Sequence, residues 1–303
     1  MEKTEKIWMN KKMVGWDEAN IHILTHALHY GSAVFDSLRC RDTPKGLAVF
    51  RLNDHVHRLF NSAKIYLMKI PFTESEICDG ILDLIRTNNI GECYIRLLAY
   101  YGYGEMGLNP LPNPVDVSIS LWHWGPYLGE EGIKNGVRCK ISSWCRVDTR
   151  THPPQAKAAA NYANSTLAKL EALDCGYDEA ILLNLNGSIS EGPGENLFIV
   201  EGGVLLCPPE SSGILKGITM DSVIKIAKDL DIPFERRELT REDLFTADEA
   251  FFTGTAAEVT PIREVDQRVI GDGKREITET IQKKFYDIVG GKDKKYYGWL
   301  TFV

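Results

Sequence analysis

PPQAKAAANY, residues 153–162, sets one lysine between two prolines and a run of three alanines and closes on an Asn-Tyr pair. Most lysines are solvated surface charges, because a lysine is seldom buried without a partner. The flanks of Lys157 argue for another role. Pro153 and Pro154 force an extended entry, and the small, polar run AKAAANYANS reads as the opening of a helix that continues through TLAKLEALDCG. A lysine fixed at such a strand-to-helix junction, beside small residues, leaves room for a flat molecule against it.

With 303 residues and 44% hydrophobic content, the chain can bury a substantial core and suits about two domains. A net charge of −7 without a basic cluster argues against nucleic acid as the main partner, since phosphate binding needs a concentrated basic face. The opening MEKTEKIWMNKK is charged where a signal peptide needs an apolar core, and no apolar run approaches a membrane span. These features predict a cytoplasmic protein. Its seven cysteines (Cys40, Cys78, Cys93, Cys139, Cys145, Cys175 and Cys207) are scattered and form no C-x-x-C pair. They signal neither a disulfide framework nor a zinc site, and are read as small hydrophobes in a reducing compartment.

Outward from the lysine, the periodicity gives a mixed α/β (α+β) chain. KIWMN and GLAVFRL read as strands, and 53–68 as a helix with Val56, Leu59, Phe60, Ala63 and Leu67 on one face. Thr73 and Glu76 have capping-box spacing at the head of a second helix that ends near Gly91. ECYIRLLAYYG is a strand, and VDVSISLWHW alternates apolar with polar residues as a two-faced strand does. GPYLGEEGIKNG, at 125–136, is rich in glycine and charge and marks the break. The expected division is a smaller N-terminal α/β domain over 1–124, a linker over 125–135 and a larger domain over 136–303. In the latter, Asn186-Gly187 and Gly202-Gly203 signal tight hairpins, and a helix carrying Met220, Val223, Ile224, Ala227 and Leu230 follows LKGIT.

Several segments invite chemistry. GYGEMG, residues 102–107, matches G-x-G-x-x-G, but LNP follows it where a dinucleotide site needs a helix. LKGITMDS is the better anion site, or a plain helix cap: Gly217 permits close approach, Thr219 stands at the expected N-cap, and the first-turn N–H groups with the helix dipole suit a phosphate. FTGTAAEVTP, at 252–261, exposes Thr255 among small residues in a second nest, or in an ordinary strand-to-helix turn. Glu191 lies on the Gly-Pro-Gly loop of SISEGPGENLFIV; turned inward, it needs a cationic or protonated partner. Arg58 raises the same question, and Arg96 raises it more sharply by interrupting an apolar strand. His26 and His29 lack a third ligand, so no metal is expected. Together, a lysine for an aldehyde, two backbone loops for a phosphate and a carboxylate for a ring nitrogen meet the needs of pyridoxal phosphate.

At this point the chain resembles the class IV (fold-type IV) aminotransferases, and within them the branched-chain amino acid aminotransferases. The resemblance runs through ILTHALHYGSAVFDSLRC, YIRLLAYYGYGEMGLNP, AKAAANY, LNGSISEGPGENLF, PPESSGILKGIT, TGTAAEVTPIREVD and YYGWL. It implies a two-domain fold whose larger C-terminal part is a pseudo-barrel, pyridoxal 5'-phosphate as cofactor, and transfer of the amino group of L-leucine, L-isoleucine or L-valine to 2-oxoglutarate. By the same resemblance Lys157 bonds the cofactor and shuttles the proton, Glu191 partners the ring nitrogen, and Tyr162 donates to the 3′-oxygen. Arg58, Ile218, Thr219 and Thr255 match the phosphate cup, Asn196 supports the ring, and Leu215, Gly217 and Gly254 complete the cofactor positions. The substrate's α-carboxylate matches the turn Thr255-Ala256-Ala257 with Tyr94, and its side chain a pocket of Phe35, Trp124 and Tyr162. Tyr30, Met106 and Leu108 match residues supplied partly by a neighbouring subunit, which implies a homodimer or larger assembly. Arg96 matches the receiver of the second carboxylate of glutamate.

Two departures stand out. Asp36-Ser37 replaces the Glu-Gly of the family's VFEGIRCY pattern, and Leu97 replaces the proline of YIRP. The serine bears on substrate range. D-amino acid aminotransferases and (R)-selective amine transaminases share the fold and the lysine, but HYGSAVF, YIR with GEMGLNP, and GTAAEVTP fit the branched-chain pattern better. Aminodeoxychorismate lyase leaves Arg96 unexplained. A non-catalytic homologue is expected to have lost Lys157 or Glu191, and both are present.

Overall fold

In the computed structural model, which describes residues 2–303, the chain separates into two units. The first takes the chain up to Trp124, the short segment Ala156–Ala160, and Asp287–Val303; the second takes Gly125–Gln155 and Asn161–Tyr286.

The first unit contains β1 (Lys6–Met9), β2 (Lys12–Gly15), α1 (His26–Tyr30), β3 (Ala33–Arg41), β4 (Ala48–Phe50), α2 (Leu52–Ile65), α3 (Glu74–Asn88), β5 (Cys93–Tyr101) and β6 (Val115–Trp122). With the C-terminal strand Leu300–Phe302 beside β4, the sheet runs onward through β3, β5, β6 and β1 to β2. The expected alternation in β6 is present: Val117, Ile119 and Leu121 are buried while their neighbours are partly exposed. They share one sheet face with Val34, Leu38, Ile95 and Leu97, and α2 and α3 lay Val56, Leu59, Ile77, Ile81 and Leu84 into the same core. α3 opens on the anticipated capping box, in which Thr73 and Glu76 exchange side-chain and backbone hydrogen bonds.

The second unit contains α4 (Gly129–Asn135), β7 (Val137–Ile141), α5 (Asn161–Asp174), β8 (Glu179–Ile181), β9 (Asn196–Glu201), β10 (Val204–Cys207), α6 (Ile218–Asp229), β11 (Phe234–Arg236), α7 (Arg241–Thr246), β12 (Glu249–Gly254), β13 (Glu258–Val265) and β14 (Arg268–Val269); α8 (Glu276–Val289) ends within the first unit's share. Its sheet is mixed, in the order β11-β10-β9-β12-β13-β7-β8, with β14 paired to β13. Gly202 and Gly203 join β9 to β10 with φ of 55° and 80°, a hairpin turn that needs positive φ at both positions.

Three local expectations differ from what is found. Residues 125–135 include the one-to-two-turn helix α4. Helix α5 begins at Asn161, four residues beyond Lys157. The reason is hydrogen bonding: Phe35 N donates to Lys157 O, Ala159 N donates to Ala33 O, and Ala158 bridges Val34, so the lysine segment joins β3 as an extended strip. FTGTAAEVTP is a strand-to-strand hairpin between β12 and β13.

Candidate active site

Cross-strand register arranges the candidate residues of the first unit. Phe35 and Ser37 on β3 stand opposite Leu98 and Arg96 on β5, and Arg96 stands opposite Ser120 on β6. These side chains occupy the sheet face opposite the one that carries the hydrophobic core. The Arg96 guanidinium lies 4.6 Å from the Phe35 ring centroid, 5.6 Å from that of Tyr94 and 5.9 Å from that of Trp122. Aromatic faces attract a cation electrostatically and leave its N–H edge for an anion. On the same Phe35 ring, Lys157 Nζ stands 5.0 Å from the centroid. An amine and a guanidinium therefore share one aromatic platform. Lys157 is also anchored through its backbone N–H, which donates to Ser62 Oγ on α2 at 3.0 Å. Tyr94 is buried and meets Trp124 edge-on at 4.6 Å.

On the core face, Asp36 is fully buried. Arg58 reaches it from α2 through Nε at 2.7 Å and Nη2 at 2.8 Å, and His55 Nδ1 lies 2.7 Å from its Oδ1. Burial alone would raise the Asp36 pKa, but the Arg58 and His55 charges and hydrogen bonds outweigh it and hold the carboxyl well below the usual range. Burial lowers the His55 pKa despite Asp36. This fork commits one edge of Arg58 to Asp36 and fixes the side chain's direction.

The second unit answers the question that Glu191 raised. Its side chain turns inward, and the cationic partner is Arg146, whose Nη2 lies 2.6 Å from Oε1 with both side chains almost wholly buried. Oε2 accepts from Asn196 Nδ2 at 2.9 Å and from Leu215 N at 3.0 Å. Asn196 donates to Leu215 O as well. Arg146 is braced on its other side by Ser165 of α5. The donors Arg146, Asn196 and Leu215 N suit the ionised form of the carboxyl, which only accepts.

The first turn of α6 follows directly. Gly217 is its N-cap, one step before Ile218, so Thr219 lies within the helix and not at the cap as the sequence suggested. Among the described residues no side chain caps this end. Glycine is required here because a Cβ would collide with Asn196 Oδ1. At the β12–β13 hairpin, Gly254 pairs with Glu258 across the turn Thr255-Ala256-Ala257. Glu258 holds φ of 58°, secured by Tyr286 Oη donating to its carboxylate at 2.7 Å; such left-handed, non-glycine backbone collects at ligand sites. Tyr162 stands in the first turn of α5.

Residues 33–265 match the family model "Amino-transferase class IV", more than half of the chain. This chain belongs to the class IV aminotransferases. Among the family's curated members, the branched-chain-amino-acid aminotransferase of Salmonella typhimurium is 45% identical over 301 residues, 99% of this chain and 97% of the relative. The crystal structure of the Escherichia coli branched-chain amino acid aminotransferase superposes with a TM-score of 0.96 at 45% identity, covering 98% of this chain and 99% of that one. The T.th. branched-chain amino acid aminotransferase with pyridoxamine 5'-phosphate gives 0.96 at 46% identity, covering 100% and 99%. That enzyme has also been solved with N-(5'-phosphopyridoxyl)-L-glutamate and with 4-methylvaleric acid.

The remaining aminotransferase residues sort plainly. In the GYGEMG loop, Gly102 N donates to Pro114 O and Asn113 bonds Glu105 N and O, and no helix follows. His26 bonds Ser32 and Gly107 O, His29 bonds Ile23 O, and no metal-type cluster occurs among the described residues. Tyr30, Met106 and Leu108 are exposed. Sequence reasoning missed Arg146, Ser62 and the Asp36–His55 contact. Arg146 carried one faint signal, its place in WCRVDTR directly after a strand.

Proposed function

We propose that the chain is a pyridoxal-phosphate-dependent transaminase that moves the amino group of L-leucine, L-isoleucine or L-valine to 2-oxoglutarate, reversibly and in two half-reactions. The observation that carries the reading is Phe35 flanked by Lys157 and Arg96, an amine for the cofactor and a guanidinium for a second carboxylate, in a chain similar over its full length to branched-chain enzymes. The ligands of the T.th. structures, a glutamate adduct and a branched aliphatic acid, represent the two side-chain classes this reading requires.

The residues fit the cofactor. Lys157 supplies the amine, the uncapped α6 start with Ile218 and Thr219 suits the phosphate, and Glu191, held by Arg146, Asn196 and Leu215, suits a protonated ring nitrogen. By the resemblance, Thr255 and Arg58 would join in holding the phosphate, Tyr162 would donate to the 3′-oxygen, and Gly217 and Gly254 would let the backbone approach. When bound, pyridoxal phosphate supplies an electron sink for the charge that develops at the substrate's Cα. Lys157 Nζ, once free, would take the substrate's Cα proton and deliver it to the cofactor's aldehyde carbon within the same half-reaction, the reverse transfer serving the second half-reaction. Glu191 holds the ring-nitrogen proton, and Arg146 keeps Glu191 in place to do so. Tyr94 and the turn Thr255-Ala256-Ala257 orient the α-carboxylate; Phe35, Trp124 and Tyr162 receive an aliphatic side chain, and Arg96 an acidic one.

The active form is a homodimer or larger. Ile21, Ile23, Leu24, Leu28, Tyr30 and Met106 are exposed large apolar residues, and the Thr25–Tyr103 bridge and His26–Gly107 bond tie their two segments together. Such a patch supports burial by a second copy, with Tyr30, Met106 and Leu108 reaching the neighbour. Seven unpaired cysteines support a cytoplasmic location. The test is the absorption spectrum of the holoenzyme on adding L-leucine and then 2-oxoglutarate. The aldehyde form should give way to the amine form and return. A spectrum that ignores leucine but responds to D-alanine or an (R)-amine overturns the substrate assignment, and pyruvate release without 2-oxoglutarate dependence points to a lyase.

A further inference from the structure

Ser37 stands where the family pattern has glycine, and its surroundings give the change a role. It is directly opposite Arg96 in the β3–β5 register, so the two side chains leave the same face of the sheet side by side. Ser37 is 2% exposed. Among the described residues its Oγ has no hydrogen-bond partner, and neither has the buried Arg96 Nε. Two adjacent buried polar atoms left without a partner are uncommon in a folded protein, since each forfeits its hydration for nothing in return. A glycine at 37 carries no such cost.

We propose that Ser37 is a specificity-determining residue whose hydroxyl joins Arg96 in receiving the distal carboxylate of a dicarboxylic substrate. The inference rests on the transaminase reading above and adds to it the direction in which this chain's substrate preference is displaced. A carboxylate oxygen accepts from the Ser37 hydroxyl and the Arg96 guanidinium together, with the ion–dipole bond stronger than one between neutral groups. A hydrocarbon side chain over the same spot leaves both unsatisfied. The penalty is asymmetric, because a site built to hydrogen-bond rejects the analogue that lacks the group more strongly than a hydrocarbon pocket rejects one methylene. The serine thus favours 2-oxoglutarate and glutamate over leucine, relative to a glycine at this position.

The test uses two unreactive acids of matched length, glutarate and 4-methylvalerate, titrated calorimetrically into the pyridoxal-phosphate holoenzyme of the wild type, Ser37→Ala and Ser37→Gly. Glutarate affinity should fall about tenfold in both variants, while 4-methylvalerate affinity stays unchanged or tightens. Retained 4-methylvalerate binding shows that the variant pocket has formed. Equal losses for both acids, or no loss for glutarate, overturn the role of Ser37 while the transaminase reading stands. A wild type that binds neither acid overturns the reading itself, and the inference with it.

Discussion

Replacing Arg146 with methionine should destabilise the second unit more than any surface ion-pair deletion can. The Arg146 and Glu191 side chains are 6% and 4% exposed, and the bond between them is 2.6 Å. Methionine keeps most of the volume and removes the charge, so the buried Glu191 loses its cationic partner and keeps the neutral donors of Asn196 and Leu215. Breaking one side of a buried pair in this way costs about 3–5 kcal/mol, which for a chain of this size lowers the thermal midpoint by roughly 5–8 °C. Urea unfolding followed by circular dichroism measures the loss, with Arg86→Ala as the control. Arg86 pairs with Asp83 on α3 with both side chains more than half exposed, and its removal should change stability by less than about 1 kcal/mol. Adding Glu191→Leu to the Arg146 variant should recover part of the loss, because the uncompensated charge is gone, and fall short of full recovery because Asn196 and Leu215 N then lack their acceptor. If Arg146→Met unfolds within about 1 kcal/mol of the wild type, or the double variant is the less stable of the two, the buried-charge argument is refuted.

Gly217→Ala should lose about 2–4 kcal/mol by forcing Asn196 off Glu191 and should weaken cofactor retention; a melt indistinguishable from wild type contradicts the packing described. Glu195, buried beside Glu179 and Glu191, has its pKa pushed up from 4.5 to about 8, by burial first and then by those charges. A raised carboxyl pKa means that the folded state binds the extra proton between about 4.5 and about 8, so stability falls as pH rises through that window, by roughly 1.4 kcal/mol per unit, and levels off above it. Glu195→Gln should flatten the slope of thermal midpoint against pH in the upper half of that window, and an unaltered slope assigns it to another group.

The sequence carried most of the framework because local signals and tertiary structure agree. The Thr73–Glu76 box, the alternation of β6 and the Gly202-Gly203 turn each state their geometry within a few residues. Lys157 shows where this stops. Its alanine-rich flank has helical propensity, yet β3 offers backbone partners to 157–159 and the chain stays extended until Asn161; propensity is a weak prior against such pairing. Arg146 was hidden for a related reason: its partner is far away in sequence, and only the fold brings them together. For Asp36, the sequence marked the departure from the family pattern but not its partners on α2, because period 2 places it on the core face while nothing local shows that an arginine and a histidine await it there. The unpartnered Ser37 Oγ and Arg96 Nε are set by the β3–β5 register, which no local sequence signal states.

Whether Lys157 is the residue bonded to the cofactor can be read by reducing the pyridoxal-phosphate-loaded protein with borohydride, digesting it and locating the phosphopyridoxyl group by mass spectrometry. The label should fall on the peptide containing Lys157 and disappear in Lys157→Ala. A label on another lysine, or none on a protein that has bound the cofactor, would contradict that role of Lys157.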